Sequence, residues 1–201
     1  MFIIMLNGHV ACLKTTIARR LSDLLKAPLL ETNKFGSVIG ESRLMDDSRR
    51  INRYKMLYKL ADSILADGYS LILDGTFIYR GWRKPVYDLC KKYSIKDIVI
   101  VRCYSTDENA IKRRLLFRKS DKFNPERGVV YFKNYLQSVS QDEPPYSDVL
   151  CDGYQPGIVE IDSSSGAISV ISGKGELIDV VVESLRLIVP ALREVILSAS
   201  R

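Results

Sequence analysis

Gly8, Lys14 and Thr15 are the residues whose types and spacing first suggest chemistry. The stretch Gly8-His9-Val10-Ala11-Cys12-Leu13-Lys14-Thr15 follows the phosphate-binding spacing G-x-x-x-x-G-K-[ST], with Leu13 where the second glycine would stand. In such a loop, backbone N–H groups and the positive end of the following helix surround an anion. Lys14 would then reach β- and γ-phosphate oxygens, and the Thr15 hydroxyl would meet Mg²⁺. Gly8, His9, Val10, Ala11, Cys12, Leu13, Lys14, Thr15 and Thr16 are therefore expected to bind a nucleoside triphosphate, ATP with Mg²⁺. Leu13 keeps its backbone N–H and can still donate to phosphate where its φ and ψ suit a branched residue. His9, the sole histidine, is expected to line the loop rather than act as a base.

The spacing recurs by chance, so its context carries the weight. The motif follows an apolar strand at 2–7 and opens a helix at about 14–26, whose Ile17, Leu21, Leu24 and Leu25 form one apolar face. Further apolar runs at 28–32, 70–74, 97–104 and 157–162 alternate with helical stretches at about 46–67, 81–93, 106–119, 128–141 and 176–198. Such alternation predicts βαβ units, and strands apolar on both faces predict helices on both sides of the sheet. The expected fold is a three-layer α/β/α sandwich with a mainly parallel five-stranded sheet, forming one domain over 1–201 with a small lid at about 112–128. Gly166 to Gly175 reads as an additional short strand between glycine-containing turns.

Composition narrows the function. No run approaches the ~18 consecutive apolar residues of a membrane helix, and the N-terminus lacks a basic leader and a small-residue cleavage site, so a soluble, cytoplasmic protein is expected. Cysteines 12, 90, 103 and 151 have neither Cys-x-x-Cys pairing nor metal-ligand spacing, which argues against zinc and a disulfide framework. The net charge of +6 is unevenly placed: residues 112–127 carry +5 and 43–59 carry +4, whereas 142–201 carry −6. Two basic patches suit an anionic ligand, although solvated helix faces would look the same. Arg114 and Arg118, one helical turn apart, project together and suit phosphate oxygens.

From Met1 to about Ser165 the chain resembles the small P-loop kinases related to polynucleotide 5′-kinase, zeta-toxin-like kinases and chloramphenicol phosphotransferase. The resemblance rests on the strand–loop–helix at 2–25; on Tyr54, Ala61 and Leu65-Ala66-Asp67-Gly68; on Leu71-Ile72-Leu73-Asp74-Gly75-Thr76-Phe77; on Arg114-Leu115-Leu116-Phe117-Arg118; and on Ile161-Asp162-Ser163-Ser164. It implies that Asp74 acts on Mg²⁺ or its waters and that Arg114 and Arg118 close over the nucleotide, which with Lys14 makes these the expected catalytic residues. It also implies an acceptor site bordered by Asn33, Arg49 and Arg53. The group commonly has Asp then Arg after the second strand, where this chain has Asn33-Lys34-Phe35-Gly36. An amide cannot take a proton at neutral pH, which leaves Glu31 and Asp74 as the nearest carboxylates for that work. The implied activity is transfer of the ATP γ-phosphate to a hydroxyl of a small molecule, nucleotide or nucleic-acid end. The rival reading is a nucleotide-binding or nucleic-acid-interacting module that has lost catalysis.

Overall fold

The computed structural model describes residues 1–38, 47–116, 133, 135–150 and 153–198. Its strands are β1 (Phe2–Asn7), β2 (Leu29–Glu31), β3 (Leu71–Asp74), β4 (Asp97–Tyr104), β5 (Gly157–Asp162) and β6 (Ile168–Ser172). Its helices are α1 (Lys14–Leu25), α2 (Thr32–Val38), α3 (Asp47–Ala66), α4 (Arg80–Lys92), α5 (Glu108–Leu116) and α6 (Glu176–Ser198); residues 135–140 are also helical. The strands form one sheet in the order β2-β3-β1-β4-β5-β6, in which every pairing is parallel except β5 with β6.

Alternation along the strands divides the core into two layers. Ile4, Leu6, Ile72, Val99, Val101, Val159 and Ile161 face one side, where Ile17 and Leu21 of α1 and Val181, Leu185 and Ile188 of α6 cover them. Ile3, Met5, Leu71, Leu73, Ile98 and Ile100 face the other, against Tyr54, Leu57, Ala61 and Leu65 of α3 and Val86, Tyr87 and Cys90 of α4. Successive strand residues point to opposite faces, so a strand buried on both must be apolar at nearly every position.

Two expectations need correction. The sheet has six strands, because the Gly166–Gly175 segment returns as β6 along β5. The return is built on Asp162, whose backbone N–H donates to Ala167 (2.9 Å) and whose carbonyl accepts from Gly166 (2.7 Å), with Gly166 at φ 77°. Second, Leu24 is 46% exposed, and Ala18 takes its place on the buried face of α1 with Ile17 and Leu21. Of the expected lid, residues 112–116 belong to α5 and the remainder lies outside the described residues.

One polar group is deep in this architecture. Arg83 on α4 is fully buried and donates through Nε (2.5 Å) and Nη2 (3.2 Å) to Asp148, and through Nη1 to the Phe77 carbonyl (2.7 Å). Tyr87 donates its hydroxyl to the same carboxylate at 2.6 Å. The network ties the turn after β3, where Phe77 has φ 44°, to the 145–150 segment. Asp148→Ala would leave the Arg83 charge buried without its partner, and urea unfolding should show a loss of about 3–5 kcal/mol. Tyr87→Phe removes one of several donors and should cost about 1 kcal/mol; equal losses would contradict the assignment of the carboxylate as the centre of the network.

Candidate functional site

In an open parallel sheet, ligands sit beyond the carboxyl ends of the strands where the chain's progression reverses. Here that point is the end of β1, which lies between β3 and β4 and continues into the loop 8–13 and then α1. Gly8 makes the first turn at φ 130°. A Cβ at Gly8 would lie 2.0 Å from the Cys103 carbonyl oxygen, so the position admits glycine alone. Its N–H donates to the Thr76 carbonyl at 2.9 Å, which ties the loop to the chain beyond β3.

Ala11 and Leu13 also have positive φ, 65° and 60°. Leu13, with ψ 14°, is the N-cap of α1, and its carbonyl accepts the helical N–H of Ile17 at 3.0 Å. A side chain in the left-handed region costs about 1–2 kcal/mol. Leu13 offsets part of that by packing against the core layer of α1 and α6. The left-handed turn that the second glycine would make is thus made here by leucine.

Lys14 donates its ammonium to the His9 carbonyl at 2.5 Å, across the mouth of the loop. The Thr15 hydroxyl donates to Asp74 Oδ2 at 2.5 Å, and Asp74, 2% exposed, pairs in register with Leu6 at the end of β3. Burial raises the Asp74 carboxyl above the usual carboxylate range, while Lys14 and the Thr15 hydroxyl work in the opposite direction. Thr15 and Asp74 together present two hard oxygen donors at the helix N-terminus. Mg²⁺ keeps several waters and needs only one or two protein oxygens when phosphates supply the rest, so this pair fits it. Among the described residues no group of three His, Cys, Asp or Glu could hold a metal on its own.

A cavity of about 310 Å³ opens beside the loop. Val10, Ala11, Leu13, Lys14, Thr15 and Thr16 line it from the loop and α1, Asp74, Gly75 and Thr76 from the end of β3, and Arg114 from α5. Thr32, Asn33, Arg50, Arg53 and Tyr54 line the opposite side from α2 and α3. The phosphate-loop residues and the expected acceptor residues Asn33 and Arg53 therefore share one space. Gly8, His9 and Cys12 do not line it. Arg49 lies in α3, but its side chain falls outside the described residues, as does Arg118.

His9 points away from the cavity. Its ring nitrogens contact Ser138 Oγ (3.3 Å) and Asp142 Oδ2 (3.2 Å), and Tyr135 meets the ring edge-on. Asp142 also accepts from Arg102 at 3.1 Å; burial would raise its carboxyl, but the bonds from His9 and Arg102 hold it below the usual range. Arg114 braces the loop, donating to the carbonyls of Ala11 (3.1 Å) and Ser163 (2.8 Å) and to the Ser163 hydroxyl (2.9 Å). Of the two expected carboxylates, Glu31 is engaged elsewhere: it accepts Arg19 at 3.1 and 2.9 Å and Lys34 at 2.8 Å. Burial opposes its ionisation, yet those bonds keep its carboxyl below the usual range. Asp74 is the only carboxylate on the described cavity wall.

Several residues of the site had no role assigned to them by the sequence. The Tyr54 hydroxyl accepts the N–H groups of Thr76 (2.9 Å) and Phe77 (3.2 Å) and contacts the Thr76 hydroxyl (3.1 Å), fixing the cavity wall after β3. Thr32 donates to the Asp74 carbonyl at 3.1 Å, and Ser163 anchors Arg114. Tyr54 and Ser163 stand within stretches that carry the family resemblance, but nothing local told what they bond.

A protein-family model described as an AAA domain matches residues 3–134, more than half of the chain. No curated protein matches. Among solved structures, the chain is similar to a candidate kinase from Chloroflexus aurantiacus, with 21% identity, a TM-score of 0.62, and 93% of this chain and 95% of that one covered. It is also similar to Kti12 from Chaetomium thermophilum, solved with ADP-AlF3, at 17% identity and TM-score 0.59, with 96% and 98% covered. A gluconokinase from Sinorhizobium meliloti matches at 15% identity and TM-score 0.53, with 98% and 97% covered. At these identities the likeness establishes the fold, a P-loop kinase-like α/β sandwich.

Gly8→Ala places a methyl group against the Cys103 carbonyl, so its thermal midpoint should fall by at least several degrees or the protein should fail to accumulate. Leu13→Gly removes left-handed strain and some packing while keeping the backbone donor. Its nucleotide affinity, read by calorimetry, should stay within a few-fold; a hundredfold gain would show that the native loop is defective.

Proposed function

We propose, for a chain that belongs to the AAA domain family, that it is an ATP-dependent phosphotransferase moving the γ-phosphate of Mg-ATP to a hydroxyl acceptor. The observation that carries the reading is the shared cavity. A phosphate loop completed by Lys14, Thr15 and Asp74 occupies one side, and Asn33, Arg50 and Arg53 face it from the other. Within the family, the five sequence features support the polynucleotide 5′-kinase, zeta-toxin-like and chloramphenicol phosphotransferase group, and the whole chain, 1–201, is read as one such domain.

In this reading the N–H groups of the loop and of Lys14, Thr15 and Thr16 hold the phosphates, with the Lys14 ammonium moving from the His9 carbonyl onto phosphate oxygen. Thr15 and Asp74 would hold Mg²⁺, which when bound neutralises phosphate charge. Arg114 keeps the loop in shape through Ala11 and faces the same phosphates, and Arg118 is assigned to the same side. The acceptor oxygen bonds to the γ-phosphorus as the bond to the β,γ-bridging oxygen breaks; ADP leaves and the hydroxyl proton is released. Asn33 orients the hydroxyl, and Asp74, the one carboxylate on the described wall, is committed to Thr15 and Mg²⁺ in this reading, so the proton passes to solvent. Alignment and charge stabilisation carry most of phosphoryl transfer, so the amide at Asn33 is compatible with turnover. The non-catalytic rival draws on that same amide and on Leu13.

Lys14→Ala should weaken Mg-ATP binding by more than about tenfold without unfolding the protein, since a charged contact to phosphate contributes about 1.5–3 kcal/mol. Asp74→Asn should leave a weaker dependence of ATP binding on Mg²⁺. ADP release with Mg-ATP alone and then with a panel of hydroxyl compounds decides between the two readings. Stimulation by one acceptor supports transfer, and tight nucleotide binding with no turnover across the panel supports the module.

A further inference from the structure

The far side of the cavity has its own chemistry, independent of the phosphate loop. Arg50 and Arg53, adjacent turns of α3, both line it, and Arg53 is only 5% exposed. Arg50 lies over the ring of Trp82, its guanidinium carbon 5.4 Å from the ring centroid. Trp82 in turn stacks on Tyr54, with centroids 4.9 Å apart and planes 24° apart, and takes Tyr79 edge-on at 4.6 Å. The Tyr58 hydroxyl donates to the Trp82 carbonyl at 2.7 Å. The aromatic group thus fixes where Arg50 can place its guanidinium. A guanidinium held over an aromatic ring keeps its N–H groups in its own plane, free to meet a two-oxygen anion at its edge.

Charge around the cavity points the same way. The one carboxylate on the described wall, Asp74, lies at the loop end beside Lys14 and Thr15. Among the described residues, the α3 end of the wall holds Arg50, Arg53, which has partners of its own, and the neutral groups of Thr32, Asn33, Tyr54 and Thr76. Cations held in a partly enclosed, low-dielectric wall favour a ligand that brings negative charge. The total volume of about 310 Å³, shared with the nucleotide phosphates, is at the small end of ligand sites.

We propose that Arg50 and Arg53 form an oxyanion site at the acceptor end of the cavity, that Trp82 is the positioning residue for Arg50, and that the acceptor is a small hydroxyl compound bearing a phosphate or carboxylate group. The claim about the acceptor rests on the phosphotransferase reading; the oxyanion site does not. Trp82 is the chain's sole tryptophan, so its fluorescence reports on this end of the cavity without any turnover.

The first arm uses the Lys14→Ala variant, which silences the phosphate loop, titrated with glycerol 3-phosphate, glycerate and glycerol. The phosphate or carboxylate compound should change Trp82 fluorescence saturably, and glycerol should not; the stronger of the two anions identifies the group the site prefers. Arg50→Ala and Arg53→Lys should each weaken that response about tenfold or more, and Arg53→Lys retains the charge at the buried position should Arg53→Ala fail to fold. The second arm follows ADP release from Mg-ATP by the otherwise native protein with anionic and neutral hydroxyl compounds. Anionic acceptors should be preferred. Trp82→Leu should raise their KM several-fold with kcat changed less, and Trp82→Phe should restore it. Equal responses to glycerol and its anionic derivatives, or responses indifferent to Arg50 and Arg53, overturn the oxyanion site even where Mg-ATP binding is intact. A saturable anion response in a protein that binds no Mg-ATP would uphold the site and reject the phosphotransferase reading.

Discussion

The contact between Gly8 and the Cys103 carbonyl is the constraint on which the rest of the site depends. With no side chain, Gly8 lets the chain leave β1 and turn across the end of β4, at a distance any Cβ would make impossible. That turn sets the direction of the loop and therefore the point at which α1 begins. It places the α1 N-terminus beside Asp74, so that Thr15 can reach the carboxylate at 2.5 Å. The backbone N–H of Gly8 adds a second restraint by bonding to Thr76, which makes the end of β1 and the chain after β3 one unit.

The wall after β3 is held by polar groups, of which Tyr54 lines the cavity while Arg83, Asp148 and Asn7 do not. Arg83 takes the Phe77 carbonyl and is neutralised by Asp148, while Asn7 donates to the same carbonyl at 2.6 Å. Tyr54 collects the N–H groups of Thr76 and Phe77. These bonds satisfy backbone groups in an irregular segment where no strand partner is available, which is why so many buried polar residues converge there. On the opposite side, His9 and Asp142 fasten the loop to the 135–142 segment, and Arg114 fastens it to the end of β5. The loop is thus gripped from both flanks, leaving the edge with Val10, Lys14 and Thr15 to face the cavity.

The parts of this arrangement legible in the sequence were those with a local signature. β1, the loop and α1 show as an apolar run, a spaced Gly and Lys-Thr, and a helical period. The strand ending at Asp74 shows as three buried apolar positions followed by a carboxylate. At the end of α3 the Asp67-Gly68 pair is a local stop signal, and Gly68 adopts φ 84° there with its N–H on the Leu65 carbonyl. Contacts between distant segments were not legible. Nothing near Asp148 announces a buried arginine 65 positions earlier, and nothing near Glu31 announces that Arg19 and Lys34 occupy it. The left-handed Leu13 was posed by the sequence only as a question, because the motif marks where a glycine is usual and cannot say whether packing will offset the strain. Trp82 was invisible for a similar reason: its importance lies in Tyr54, Tyr79 and Arg50, which meet its ring from elsewhere in the chain.

Phosphorus NMR of Mg-ATP incubated with the protein and a panel of anionic hydroxyl compounds tests the central claim most directly, because it shows where the γ-phosphate goes. The account predicts loss of the γ resonance with matching growth of a new phosphomonoester resonance on one acceptor. A γ resonance that stays unchanged with every acceptor, or that converts only to inorganic phosphate, would contradict it.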